Sequence, residues 1–592
     1  MPQGVRDLCG TISRPKGRLC LNRFHANVRA FSDNERQMLL IKASHDINDL
    51  NKKAAPGSGP IFEQELLPIF RRRRLDTVLI NLGRASVGVM LNHNDNPNTP
   101  HGMALDSATG LWLPTWHMAY MANMAIISGS NDWKKAQFTD GEMLLLTNNI
   151  YPALAEPIMR DHDQMESAEF LIQKDLEQFS WQHFPGYEIG RSLVMYDELL
   201  PAVFKVKRDI FKHDPDAALM SATGLGIREH LVMGMCVCAQ ALSNGAIIRP
   251  SQLFNATIPS LMSLLTREKV SAYLRAISGE YDDLRKLDRK RNEEADPWYT
   301  KHRFNPLQEK PLVRLQRLSQ EEHEDGYVAP NFHILMKRVL PGIYWTIHNI
   351  LEADGGKHRN FREGFGYVFE EYVGTLLKRI DPNTFSISQD DYQFFDWIVP
   401  TDDGFVLVEA KSLQFNLSSK TYPQREQMVK EEVIPKIVEA LVQCNRKLDD
   451  IEGKPALSAL RAKSLIPCVV VWDVPLVEQG GMDRFIQKTL DDLVQGEVSD
   501  SMKKLLARKN IEMSEIEALR KERPVLISIR ELELLEGEGG RVSLRSFLEK
   551  KRIPQSGGRT ILAVEAPDVP LTCPYLDEKY HQYWKAINDG EW

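Results

Sequence analysis

Apolar residues recur at helical spacing through the first half of the chain, over Glu35–Leu50, Glu142–Tyr151, Gln164–Phe179, Leu193–Phe211 and Ile227–Leu242, with few β-branched runs between them. The pattern predicts an all-α domain over residues 31–280. Gly, Pro and Asn punctuate its loops at Ala55–Gly59, Asn94–Pro100 and Phe184–Gly186. A dense charge run from Asp282 to Glu294 reads as an exposed helix with a solvated face, opening a charged linker and helical connection over 281–345. From Phe332 the helical period returns, and Phe369, Val373, Leu376 and Leu377 form an apolar stripe.

After Arg379 the pattern changes to short β-rich runs: Thr384–Ser388, Tyr392–Val399, Phe405–Lys411 and, beyond a helix across Glu426–Leu448, Pro467–Asp473. The tight connections Gln389-Asp390 and Asp402-Asp403-Gly404 predict antiparallel neighbours among the first three runs. A helical crossover before Cys468–Trp472 predicts a parallel return. Further helices are expected over Met482–Gln495, Ser501–Arg508 and Met513–Lys521, then a strand over Val525–Arg530. The fold class is therefore α+β and multidomain: a basic arm (1–30), the helical domain, the linker, a mixed sheet flanked by helices (346–480), and a C-terminal extension (481–592).

Composition narrows the class. The 592 residues are 43% hydrophobic and 26% charged with a formal charge of −7, so the chain is an ordinary folded protein and no polycation. The N-terminal stretch has six Arg or Lys against Asp7 alone and no apolar core of a secretory signal; its bias faintly resembles a transit peptide, and a basic arm is the preferred reading. Seven cysteines without a Cys-x-x-Cys pair argue against a disulfide framework or zinc ribbon, and fit a reducing cytoplasm. The apolar stretches Trp112–Gly129 and Leu231–Leu242 are too polar or too short to span hydrocarbon, so no membrane is expected.

Candidate chemistry concentrates in Asp396-Trp-Ile-Val-Pro-Thr-Asp-Asp-Gly-Phe-Val-Leu-Val-Glu409-Ala-Lys411. Strand side chains alternate faces, so Glu409 and Lys411 point the same way, behind the apolar run Phe405–Val408. Charges on a buried strand are costly unless paired or metal-bound. If the Thr401–Gly404 turn folds the preceding strand back, Asp396 comes alongside Glu409. Two carboxylates beside an ammonium suit metal-assisted phosphodiester hydrolysis: hard oxygen ligands hold Mg²⁺ or Mn²⁺, and a lysine orients the attacking water.

This set, over about residues 361–474, resembles the PD-(D/E)xK nuclease superfamily, whose signature is an Asp closing one strand and Glu/Asp-x-Lys on the next. Here Phe395 stands where the signature has Pro. The resemblance implies a restriction-endonuclease-like core in which Asp396 and Glu409 bind the metal and Lys411 positions water. It also implies that a glutamate of the preceding helix, Glu370 with Glu363 in reserve, faces the metal. A polar residue of the following helix would reach the site: Gln443, with Gln424 and Gln427 as alternatives. DNA is the implied substrate, with RNA left open, because nothing here tests for a 2′-hydroxyl.

A polyanion must be held while it is cut, and the segment 541–560 offers Arg541, Arg545, Lys550, Lys551, Arg552 and Arg559 against Glu549. Arg71–Arg74 is a second candidate for phosphate contact, with a solvated helix turn as the preferred reading, and Cys236 and Cys238 read as core packing. No Gly-x-x-x-x-Gly-Lys-Ser/Thr loop or Gly-x-Ser-x-Gly elbow occurs, against nucleotide-driven motor or covalent serine chemistry. The expectation is a Mg²⁺-dependent DNA endonuclease, in the manner of bacterial anti-phage effectors with a helical half that senses a partner or activator. Cutting both strands would favour a homodimer. The alternatives are a non-catalytic scaffold with a nuclease-like fold, or a nuclease subunit in DNA repair or mobile-element processing.

Overall fold

A computed structural model describes residues 61–95, 103–105, 112–132, 134–151, 154, 187–254, 258–293, 304–315, 326–389, 392–413, 433–461, 463–472, 481–496, 500–537, 542–552 and 573–589. The basic arm, Gln424 and Gln427 lie outside them. No described helix is long and apolar enough to cross a membrane.

The described part of the first half is mainly helical, as the period predicts for Glu142–Tyr151, Leu193–Phe211 and Ile227–Leu242, while Glu35–Leu50 and Gln164–Phe179 lie outside the described residues. Thr115–Ser128 and Ile227–Ser243 are buried almost all round, the expected state of helices that lack a polar face. Cys236 and Cys238 are buried and free in the second of these. The all-α expectation is corrected by a four-stranded mixed sheet in the order Ile247–Ile248, Gly326–Val328, Leu312–Leu315, Ser278–Gly279. Two- to four-residue strands are too short to show a period of two, which is why the pattern missed them. Residues 312–315 and 326–328, expected within a linker, thus pair with strands of the preceding helical half.

The charge run is also more than a solvated face. In the helix Tyr281–Asn292, Leu284 and Asp288 are buried, Asp288 with only 3% exposure. Asp288 accepts from Asn123 Nδ2 at 3.4 Å and Asn292 Nδ2 at 2.9 Å. Arg285 donates to the carbonyls of Ile126 (2.7 Å) and Gly129, satisfying the open C-terminal end of Thr115–Ser128. Arg73 likewise leaves solvent, buried in an ion pair with Glu142 at 2.5 Å.

The second sheet carries the candidate chemistry. Its strands are β1 (Trp397–Thr401), β2 (Gly404–Lys411), β3 (Ser464–Val471) and β4 (Val525–Ser528), in the order β4-β3-β2-β1. β1 runs antiparallel to β2, while β2, β3 and β4 are parallel, as the tight turn and the helical crossover predict. A Cβ on Gly404 would lie 1.8 Å from the carbonyl oxygen of Ser464, so only glycine lets β2 start this close to β3.

Alternation sorts the two faces. Trp397, Val399, Val406, Val408, Cys468 and Val470 join the larger core, which includes helix α3 (His358–Ile380) and, nearer the N-terminus, helices α1 (Leu200–Val206) and α2 (Arg208–Phe211). Ile398, Leu407, Val469, Val471 and Leu526 pack on the other side against α4 (Val433–Gly453). Tyr372 of α3 donates to Glu533 of α5 (Ile529–Gly537) at 2.6 Å, and Arg191 donates to the same carboxylate at 2.6 and 2.5 Å. This buried network ties the helical half to the α3 helix.

Candidate active site

The site lies at the carboxyl end of β2, beside the parallel end of β3, where open α/β sheets characteristically receive ligands. Alternation puts Glu409 and Lys411 on one side, and Lys411 Nζ stands 2.7 Å from Glu409 Oε1. The register Val408↔Trp397 brings the next residue back along the first strand, Asp396, opposite Glu409. Asp396 Oδ2 accepts the Ala410 N–H at 2.7 Å, which anchors it across the hairpin. Both carboxyls are buried, with Asp396 8% and Glu409 3% exposed.

Glu370 arrives from α3. Its carbonyl accepts from Trp397 Nε1 at 2.9 Å, which locks the helix to the residue next to Asp396. A Cβ on Gly374, one turn further along, would lie 2.1 Å from the Trp397 ring, so the helix approaches the strand as closely as glycine permits. Glu363 and Tyr367 share the Glu370 side of α3. The Tyr367 hydroxyl is pushed up, first by burial and then by the charges of Glu370, Glu363, Asp396 and Asp209.

The electrostatics register an excess of negative charge. The Asp396 carboxyl is pushed up to about 8, first by burial, then by Glu409 and then by Glu370, against the opposing pull of the Ala410 N–H and Lys411. For Lys411 burial is the largest influence and pulls downward, yet the charge and hydrogen bond of Glu409, with Asp396, leave it raised. Cys444 of α4 is buried beside the group and held well up, by burial first and by Glu409 next.

Helix α4 does reach the site, but not through Gln443. Gln443 Nε2 donates to Glu439 on its own helix at 3.2 Å. The residue one turn on, Lys447, reaches Glu409 Oε2 at 2.6 Å and lies 5.4 Å from the centre of the Phe395 ring. Glu409 is therefore clamped by two ammonium groups, one on each oxygen. Helical spacing puts Lys447 on the same face as Gln443, one turn on, and its charge opposite the carboxylate of Glu409 is the signal that favours it.

The basic segment is largely consumed by the fold. Lys551, on helix α6 (Leu544–Lys551), is buried in an ion pair with Glu531, which corrects its assignment to a surface that touches nucleic acid. Arg545 pairs with Asp403 at 2.6 Å and Glu549 at 2.8 Å, and Arg552 with Glu522 at 3.6 Å. Lys550 is half-buried, and Arg541 and Arg559 lie outside the described residues.

Asp396, Glu409 and Glu370 bring three carboxyls toward two ammonium groups, Lys411 and Lys447. The Asp396 carboxyl is raised first by burial and only then by Glu409 and Glu370, and it is the repulsion from those two carboxylates that a cation would offset. Hard carboxylate oxygens are the donor type Mg²⁺ and Mn²⁺ prefer, so the residues fit such an ion by charge and chemistry. The shell is not preassembled: among the described residues no three His, Cys, Asp or Glu side chains are gathered as a metal-binding group. No protein-family model, curated protein or solved structure matches the chain.

Proposed function

We propose that this protein is a divalent-metal-dependent phosphodiesterase acting on nucleic acid, with DNA as the favoured substrate. The observation that carries the reading is the convergence of buried Asp396 and Glu409 across the β1–β2 hairpin, with Lys411 on the same side. Asp396 and Glu409 would hold the ion, and Glu370 would supply a further oxygen from α3. The bound ion would polarise the phosphate and lower the pKa of attacking water.

The chain's own groups divide the remaining tasks. The Ala410 N–H fixes the rotamer of Asp396. Lys447 holds one oxygen of Glu409 from α4 and Lys411 holds the other; an ion bound at Glu409 would take over that second oxygen and release Lys411 to the edge of the site. A lysine there presents N–H donors to an anionic phosphate oxygen or to the water that attacks it, and offsets charge that grows in the transition state.

The test is incubation of purified protein with supercoiled plasmid, linear duplex and RNA, in Mg²⁺ or EDTA. Cleavage is expected only with metal, and is expected to fall at least a hundredfold in Asp396→Ala and in Lys411→Ala. Metal-dependent cleavage that survives both substitutions contradicts the site. No cleavage of any substrate contradicts the enzyme and leaves a binding scaffold.

A further inference from the structure

The segment Lys205-Val206-Lys207-Arg208-Asp209-Ile210-Phe211-Lys212 belongs to the helical half, yet it lies along the helix that carries Glu370. Phe211 packs on Phe361 with ring centres 6.5 Å apart, and a Cβ on Gly364 would lie 2.5 Å from the Phe211 ring. Lys207 Nζ stands 4.6 Å from the centre of the Tyr367 ring, one turn of α3 before Glu370. The segment is thereby docked within a turn or two of the candidate active site.

Its charges are available. Lys205, Arg208 and Lys212 are exposed, and none of the four cations forms an ion pair among the described residues. This is the opposite of segment 541–560, where Arg545, Lys551 and Arg552 are each paired. Asp209 is the one carboxylate in the segment. Four neighbouring cations repel one another, and the partners the fold gives them are aromatic faces, Tyr367 for Lys207 and Phe204 for Arg208 at 6.0 Å, so a repulsion remains that a polyanion would remove. Val206, 75% exposed between two lysines, adds an apolar contact for a sugar.

We propose that residues 205–212 form the strip that holds the sugar–phosphate backbone of a nucleic acid beside Asp396 and Glu409. The inference rests on the phosphodiesterase reading for the identity of its partner. Duplex DNA carries a charge about every 1.7 Å of its axis, so adjacent cations can engage successive phosphates and release their counterions. The helical half then has a stated task, which is to present substrate to a site built by the other half.

The test is fluorescence anisotropy of labelled duplex DNA, single-stranded DNA and RNA in EDTA, where no cleavage intervenes, across a range of salt. The variant is Lys205→Glu/Arg208→Glu/Lys212→Glu, which spares the packed Lys207; a second variant carries Gln at the same three positions. For the Glu variant, affinity is expected to fall at least tenfold near 0.1 M salt. The duplex salt slope is expected to become shallower by about 2 to 3, at about 0.9 per lost contact. The Gln variant is expected to lose less, and both to melt within a few degrees of wild type. The preferred arm identifies which nucleic acid is held. Unchanged affinity and slope in the Glu variant overturns the strip, as does a wild-type protein that binds none of the three at low salt. Hydrolysis of bis(4-nitrophenyl) phosphate with Mn²⁺ reports the site separately. If hydrolysis proceeds while the Glu variant binds like wild type, the strip is wrong and the site stands. If the Glu variant loses binding but wild type hydrolyses nothing, the strip stands and the nuclease reading is wrong.

Discussion

Lys447 Nζ lies 2.6 Å from Glu409 Oε2 while Lys411 Nζ lies 2.7 Å from Glu409 Oε1, so a strand glutamate and a helix lysine 38 positions apart are locked together. The pair pins α4 to the end of β2. A buried carboxylate with two charged partners tolerates the loss of one better than the loss of both.

Lys447→Ala should therefore lower the stability of the metal-free protein by about 1.5–3 kcal/mol, the range for a charged hydrogen bond. A divalent ion at Glu409 would replace the missing cation. Thermal unfolding with and without Mg²⁺ checks this: the variant is expected to gain more from Mg²⁺ than wild type does.

Gly374→Ala tests the seat of Glu370. The new Cβ would fall 2.1 Å from the Trp397 ring, and the helix must lift away or the indole must turn. Overpacking of this kind costs about 1–3 kcal/mol. Because Trp397 Nε1 also holds the Glu370 carbonyl, cleavage activity should fall with stability. Urea denaturation and a cleavage assay on the same preparation provide the check; retained full activity in a destabilised variant would detach Glu370 from the chemistry.

Asp197 supplies a pH dependence remote from the site. Its side chain is 12% exposed and 3.4 Å from Arg228, and its carboxyl is pushed up to about 6, by burial first, with Arg228 pulling down and Glu198 and Asp216 pushing up. The folded state therefore binds this proton more tightly than the unfolded chain, and stability declines as pH rises from about 4 through about 6. At about 1.4 kcal/mol per pKa unit, the rise from the ordinary 3.8 to about 6, which already includes the pull of Arg228, makes the loss about 3 kcal/mol. Asp197→Asn should be more stable than wild type above pH 7 by that amount and equal to it near pH 4, in urea titrations at both pH values.

Much of the second sheet was legible because its longer strands alternate and the turn between β1 and β2 carries Asp402-Asp403-Gly404. The same residues explain the juxtaposition of Asp396 with Glu409, since a two-residue turn leaves one register. The small sheet of the helical half was not legible, because Ile247–Ile248 and Ser278–Gly279 contain one residue per face. Gln443 and Lys447 share one face of α4 a turn apart, but the Gln443 amide bonds back to Glu439 on its own helix, and the longer, charged Lys447 is the side chain that reaches Glu409. Lys551 looked like surface charge because its partner, Glu531, stands on a different helix 20 residues earlier, beyond any local pattern. The cations at 205–212 read as part of an ordinary amphipathic helix, and only packing, which sets Lys207 against Tyr367, brings them beside α3.

The claim on which the account turns is that Asp396 and Glu409 share a divalent ion. Calorimetric titration of Mn²⁺ into metal-free protein at pH 7.5 measures it directly. One saturable site is expected in wild type, weakened at least tenfold in Asp396→Asn and in Glu409→Gln and not weakened in Lys447→Ala. Absence of a site in wild type, or equal affinity in Asp396→Asn, would contradict the claim.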